Sequence, residues 1–500
     1  MFKIKIRNMQ INNVTTNPME NQSPKPMENI VCAIDIGTSK IAALVGKRNQ
    51  YGKVEILGIG NCPSFGVQRG AVINIAKTVS AIQKAVADAE RMSGIKFKRV
   101  HVGIAGSHIK SLQHRGILTR NNNDTWIDHD DIKKLKDEMY KLALPPGDQI
   151  LHVLPQEYIV DNEPGIYNEP IGMMGVRLEG NFHIITGAET AIKNIERCIT
   201  IAGLEIASIE LEPLASADAV LSVEELEGGV CLVDIGGGTT DIAIFENFVI
   251  RHTAVIPLGG SIITKDLCDF KILKEQAELL KVRYGSAVPM DEYRKQHVSM
   301  QGEGSRAIGK KEVNLLAVSK VISARMKEIL AHILYQINLS KFDKKLIGGI
   351  VLTGGGSQLK HIIQLTEYET GHSARIGLPN EHLATSKLNS IGENPIYATG
   401  IGLLIRAFKM LDEEMSSQQE NNSKIVVKDI EVKVTNETPE TVEKLTQTEV
   451  EEIEDEKELE SIDETGQQGG TQTNSPSIFS TWKKNLSTWM KQDFDDFEKK

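Results

Sequence analysis

One short pattern occurs twice in this chain and limits what it can fold into. "DIGTSK" (35–40) and "DIGGGTT" (234–240), placed 199 residues apart, each join two apolar strand-like runs through a glycine turn. Glycine lets the backbone turn sharply and approach a ligand closely, so that N–H groups converge on an anion. Hydroxyls add donors. An aspartate at the strand end is wrong for direct contact with phosphate but right for holding hydrated Mg²⁺ that bridges it. The candidate phosphate ligands are Asp35, Gly37, Thr38, Ser39 and Lys40 in the first turn. In the second they are Asp234, Gly236, Gly237, Gly238, Thr239 and Thr240. Asp35 and Asp234 are the Mg²⁺ candidates, through water. Two such hairpins, one from each half, would clamp a nucleotide from both sides.

The rest of the chain suits that reading. From residue 30 to about 410, strand-like and helix-like segments alternate, as in an α/β chain. "IAKTVSAIQKAVADAERMSG" reads as a helix closed by Gly94. A third turn, "TGGGSQL" (353–359), carries Gly354, Gly355, Gly356 and Ser357 and opens a helix whose free N–H groups face outward. These turns contain neither a Rossmann nor a Walker phosphate motif. Five hundred residues suggest two or three compact units. A net charge of −10 argues against general nucleic-acid binding. The five cysteines form no C-x-x-C pair, and they read as buried thiols in a reducing compartment. The first 29 residues lack the apolar core of a secretory signal, and Met19 and Met27 are alternative starts. No apolar run is long enough to span a membrane.

The order and spacing of the three turns resemble the actin, Hsp70 and sugar-kinase superfamily of ATP-binding folds. That resemblance makes the two Asp-Gly hairpins phosphate loops and places the third turn beside the adenosine. "LEPLASADAVL" (211–221) is similar to the first connecting helix, where Glu212 matches the acid that positions an attacking water, with Asp234 as its catalytic neighbour. "AELLK" (277–281) resembles the segment reaching ribose and adenine, which implicates Glu278 and Lys281. "PIYATGIGLL" (395–404) resembles the second connecting helix.

Between "RVHVGIAGSHIKS" and "FHIITG" lies a segment foreign to a plain actin core. With "HVLPQEYIVD", "PIGMMGVRLEGNFHIITG", "AIDIGTSKI", "RHTAVIPLGG" and "VRYG", it resembles the bacterial cell-division family FtsA over roughly 30–410. The resemblance implies an actin-like α/β ATPase fold with an inserted SHS2-like subdomain. It implies Mg·ATP binding with at most weak hydrolysis, polymerisation, and recruitment of later division proteins. It also implies tethering of FtsZ filaments to the inner face of the cytoplasmic membrane at the septum. Arg325 and Glu328 match the family's contact positions for the FtsZ tail peptide. The expected units are a flexible extension (1–29), a first lobe in two pieces (30–108 and 188–228) and the inserted subdomain (109–187). A second lobe (229–393), a second connecting helix (394–410) and a disordered acidic linker (411–476) follow. A membrane-binding helix (477–492) and a short charged end (493–500) complete the chain.

The linker holds nineteen acids against five Lys or Arg, a net of −14, with too little apolar surface to offset its ordering entropy. Beyond it, Ile478, Phe479, Trp482, Leu486, Trp489 and Met490 share a ~120° helical arc, flanked or backed by Lys483, Lys484 and Lys491. Interfacial Trp and cationic Lys suit an amphipathic helix lying on anionic lipid. Asp493 falls within the arc, so insertion should end near Met490 or Lys491. Rival readings are a small-molecule kinase, which has no use for such a tail, and an Hsp70-type chaperone. The chaperone lacks a substrate domain after residue 400. A pilus-assembly actin relative is a further rival, disfavoured by the Trp-bearing tail.

Overall fold

The computed structural model describes residues 30–413 and 415, apart from 121–125, 302–309 and 385–388. The expected N-terminal extension, the membrane helix and the linker from residue 416 onward lie outside the described residues.

The sequence repeat is a repeat of topology. Ile30–Ile36, Lys40–Arg48 and Val54–Pro63 form an antiparallel meander. Arg99–Ile104 then joins parallel to the first strand, and Glu205–Leu211 lies outside it. In the second lobe Val230–Ile235, Thr240–Glu246 and Val249–Ile256 form the same meander. Ile350–Thr353 and Ala374–Ile376 extend it in parallel. Counted within each lobe, both sheets run 3-2-1-4-5. Their first strands are buried on both faces, which is why they read as continuous apolar runs rather than alternating ones.

Each sheet has an outer and an inner core. Outside the first, the helix Ile75–Ser93 packs Val79, Ile82, Ala85 and Ala89 against the strands. It starts at Asn74, whose side chain accepts from the Lys77 N–H, and it ends at Gly94 with φ of 71°. Outside the second, the long helix Leu315–Ser340 buries Ile322, Met326, Ile329 and Ile333. Between the lobes, the inner faces of both sheets close on the helices Glu212–Val220 and 398–413. The two helices cross at contact distance. A Cβ on Gly402 would stand 1.7 Å from the Ala215 carbonyl oxygen, so only glycine permits this approach. The later helix continues to 413, and Arg48 pairs with Asp412 near its end.

The inserted segment forms its own sheet, in the order Lys110–Thr119, Arg177–Ala188, Asp148–Val160, Glu163–Ile166. The helix His129–Met139 covers one face through Ile132, Leu135, Leu178, Phe182 and Ile184. Elsewhere the insert reaches the outermost strand of the second lobe. The Gln156 amide donates to the Ile250 carbonyl at 2.6 Å, and His183 Nε2 meets Thr253 Oγ1 at 2.9 Å. A unit threaded through lobe 1 thus covers the free edge of the lobe 2 sheet.

Candidate functional site: a cleft between two glycine hairpins

The two hairpins meet tip to tip. A Cβ on Gly237 would lie 1.9 Å from Ser39 Oγ, and one on Gly238 2.6 Å from Thr38 Oγ1. The glycines of the second turn are therefore required by the hydroxyl residues of the first. The Gly236 carbonyl accepts from the Gly260 N–H at 2.9 Å, and the Gly237 carbonyl from the Ser261 N–H at 2.7 Å. The third turn closes on the same place. Gly354, with φ of 78°, brings its Cα so near Asp234 that a Cβ would sit 2.2 Å from Oδ1. That turn opens only a single 3₁₀ turn, Gly355–Gln358, and the α-helix begins later, at Ile362. Ser357 is buried, and its hydroxyl donates back to the Gly354 carbonyl at 2.8 Å.

Four carboxyl groups surround the junction. Asp35 is buried and accepts from Lys40 Nζ at 3.1 Å, while Lys40 also lies over the Tyr397 ring. Asp234 Oδ2 accepts from Ser216 at 2.8 Å and from Thr399 at 3.2 Å, one hydroxyl from each connecting helix. Burial raises the Asp234 pKa above the usual carboxylate range, against those hydrogen bonds. Asp241 faces Asp234 across the strand pair. Burial first and the Asp234 charge second push it up to about 7, although Thr239 donates to it at 3.0 Å. Its other oxygen, Oδ1, is buried without a hydrogen-bond partner. Glu212 begins its helix beside the cleft, and Gly103 makes room for it, since a Cβ there would be 3.0 Å from Glu212 Cγ. Burial and then the charges of Asp35, Asp241 and Asp234 raise this carboxyl well above its ordinary value, with Lys40 opposing.

Of the residues expected at this site, Thr239 and Thr240 have their hydroxyl protons committed, to Asp241 and to the Leu258 carbonyl. Thr240 is fully buried, so it fixes the hairpin instead of facing the cleft. Glu278 and Lys281 form an ion pair at 2.8 Å that also engages Thr264 and the Gly260 carbonyl, next to the second hairpin. Sequence reasoning missed Ser216, Thr399, Gly260 and Asp241. Asp241 directly follows the glycine motif and was open to discovery; the hydroxyls reach Asp234 from distant helices and carry no local signal.

Arg325 and Glu328 stand apart from the cleft. They line a groove of about 390 Å³ with Asp266, Asp269, Phe270, Val321 and Ala324. Arg325 is engaged there, donating to Asp266 at 2.7 and 3.2 Å and pairing with Glu328. Ile478, Phe479, Trp482, Lys483, Lys484, Leu486, Trp489 and Met490 lie outside the described residues. Among the described residues no helix is long and apolar enough to cross a membrane.

Comparison with known proteins agrees with this architecture. The family model described as cell division protein FtsA matches residues 231–402, and that of the SHS2 domain inserted in FtsA matches 106–186. The cell division protein FtsA of Pseudomonas aeruginosa is 39% identical over 395 residues, covering 79% of this chain and 93% of the relative. That of Neisseria meningitidis is 41% identical over 382 residues, 76% and 90% of the two chains. That of Escherichia coli is 32% identical over 383 residues, 75% and 89%. Among solved structures, a chain of the PilM-PilN type IV pilus biogenesis complex superposes with a TM-score of 0.56. The match covers 75% of this chain and 98% of that one; at 14% identity it speaks for the fold alone. With its duplicated actin-like lobes, inserted SHS2 domain and this degree of identity, the chain belongs to the FtsA family of cell-division proteins.

Proposed function

We propose that this protein binds Mg·ATP between its two hairpins and polymerises on the cytoplasmic face of the inner membrane. There it tethers FtsZ filaments at the division septum and recruits later division proteins. The observation that carries the nucleotide reading is the tip-to-tip meeting of Gly237 and Gly238 with Ser39 and Thr38. Paired glycine turns surrounded by buried carboxylates fit a ligand that brings both anionic oxygens and a cation. The unpartnered Asp241 oxygen supports a cation nearby. Among the described residues no three His, Cys, Asp or Glu side chains stand close enough to hold an ion alone. Asp35 and Asp234 would therefore hold Mg²⁺ through water. When bound, Mg·ATP supplies a phosphoanhydride and the divalent charge joining it to these carboxylates. Gly354–Ser357, Glu278 and Lys281 would border the adenosine. Glu212, at the start of its helix beside the cleft, would orient the attacking water.

The groove beside Arg325 and Glu328 is also lined by Phe270 and Val321, apolar surface for a peptide such as the FtsZ tail, and among the described residues Arg325 is its one cation against Asp266, Asp269 and Glu328. To receive a carboxylate, Arg325 must exchange it for Asp266 or Glu328. Attachment to lipid is assigned to the amphipathic segment 477–492. One such helix binds reversibly, whereas a filament carrying many copies holds by multivalency.

Co-sedimentation with anionic vesicles, with and without ATP and FtsZ, tests the whole reading. FtsZ should pellet only with this protein present, most strongly with ATP. Deleting 477–500 should abolish pelleting while leaving ATP binding intact, and Arg325→Glu should release FtsZ alone. Vesicle binding that survives the deletion defeats the anchor.

A further inference from the structure

Of the three tryptophans in the chain, two lie in the lipid-binding segment and the third is Trp126, on the inserted domain. Trp126 is 62% exposed. It bridges to Met174, itself 52% exposed, and Ile171 and Met173 on the same loop are also exposed. The backbone holds this arrangement: Ile127 donates to the Met173 carbonyl at 2.8 Å and Gly172 to the Ile127 carbonyl at 2.9 Å. Arg120 fixes it from beneath by donating to the Trp126 carbonyl at 2.7 Å. Exposed Trp, Ile and two Met side chains on a hydrogen-bonded loop pair suit docking, because methionines adapt to whatever apolar face is presented. Two exposed carboxylates stand beside it. Asp128 and Asp130 follow Trp126, both exposed, and Glu169 precedes the loop, paired with Lys136.

We propose that this surface is the resting place of the chain's own amphipathic segment, Ile478–Met490, when the protein is off the membrane. The inference rests on the reading of that segment as an apolar arc edged with lysine. The complementarity is double: apolar arc against Trp126, Ile171, Met173 and Met174, and Lys483, Lys484 and Lys491 against the exposed Asp128 and Asp130. Sixty-two residues lie between 415 and 478, and a flexible chain of that length would have a root-mean-square span of roughly 39–47 Å. The same residues that would enter lipid are covered in the docked state, so membrane and insert compete for one peptide. Binding to lipid then frees the insert's surface, and anything that occupies the insert frees the tail for lipid.

The experiment uses the full chain with Leu486 replaced by photoreactive benzoylphenylalanine. Illuminated without lipid, it should cross-link within the same chain to peptides containing Trp126 or Met174, and vesicles rich in anionic lipid should suppress that product. Trp126→Ala should lower the apparent dissociation constant for those vesicles, about tenfold if nine-tenths of the tail is docked. Asp130→Lys, at an exposed position outside the insert's core, should act the same way and more strongly at low salt. Cross-links confined to another surface, or to a second copy of the chain, overturn the proposal, as does unchanged vesicle affinity in both variants. A tail that cross-links to the insert yet never binds vesicles supports docking and removes the lipid reading instead.

Discussion

The two hairpins share a sequence pattern and a place in their sheets, and they treat their aspartates in opposite ways. Asp35 has an ammonium group 3.1 Å away, supplied by its own turn. Asp234 has only hydroxyls, from Ser216 and Thr399, and a second carboxyl, Asp241, opposite it. The first hairpin thus carries its own counter-charge. The second concentrates acid and supplies no cation of its own, so that Lys40 of the first hairpin acts on Asp234 as well. The two hairpins share a backbone device and divide the electrostatic work between them.

The sharpest way to break this comparison is to fill a glycine in each hairpin. Gly237→Val places carbon where Ser39 already stands, so Mg·ATP affinity should fall by about a hundredfold or more. Gly37→Ala meets only its own hairpin, the Lys40 carbonyl at 2.9 Å, and should lose far less. Calorimetric titration of both variants measures the difference; equal losses would mean that the lobes do not meet through these tips.

A second expectation concerns acid without a cation. Asp241 sits at about 7 in the fold against an ordinary 3.8. Between those values the folded chain keeps a proton that the unfolded chain has released, so stability falls as pH rises through that window. Asp241→Asn removes the penalty. In urea unfolding without nucleotide, the variant should be more stable than the parent by about 2–4 kcal/mol at pH 8 and nearly equal near pH 4. Added Mg²⁺ and ATP should narrow the gap at pH 8. A gap independent of pH would show that Asp241 ionises freely.

The smallest effect sharpens the same point. Ser216→Ala takes one hydroxyl from Asp234 and leaves Thr399 in place, at a cost of about 1 kcal/mol in unfolding free energy. A much larger loss would identify Ser216 as the principal tie between its helix and the second hairpin.

What was legible in the sequence is what local backbone chemistry determines. Asp-Ile-Gly between β-branched runs specifies a tight turn with few alternatives, and Asn74 and Gly94 bound a helix in the same way. Packing across the lobes was not legible. Ser216 meets Thr399 at 3.0 Å across 183 residues of chain, and nothing around either residue announces it. Thr240 misled for a related reason: a hydroxyl in a phosphate-type turn looks like a donor to ligand until its acceptor, the Leu258 carbonyl, is in view. Glu278 and Lys281 came from resemblance, and their pairing beside Gly260 is a matter of tertiary position.

The insert's grip on Val249–Ile256 has one more consequence. The outermost strand of an open sheet offers unpaired backbone groups along its length, an invitation to any passing chain. Here Gln156 occupies the Ile250 carbonyl, and Ser111 that of Thr253 at 3.4 Å, so the margin is stoppered by side chains from the other half of the molecule. Excising the insert would therefore do more than delete a domain: it would leave the remaining lobes with a raw seam and a tendency to aggregate.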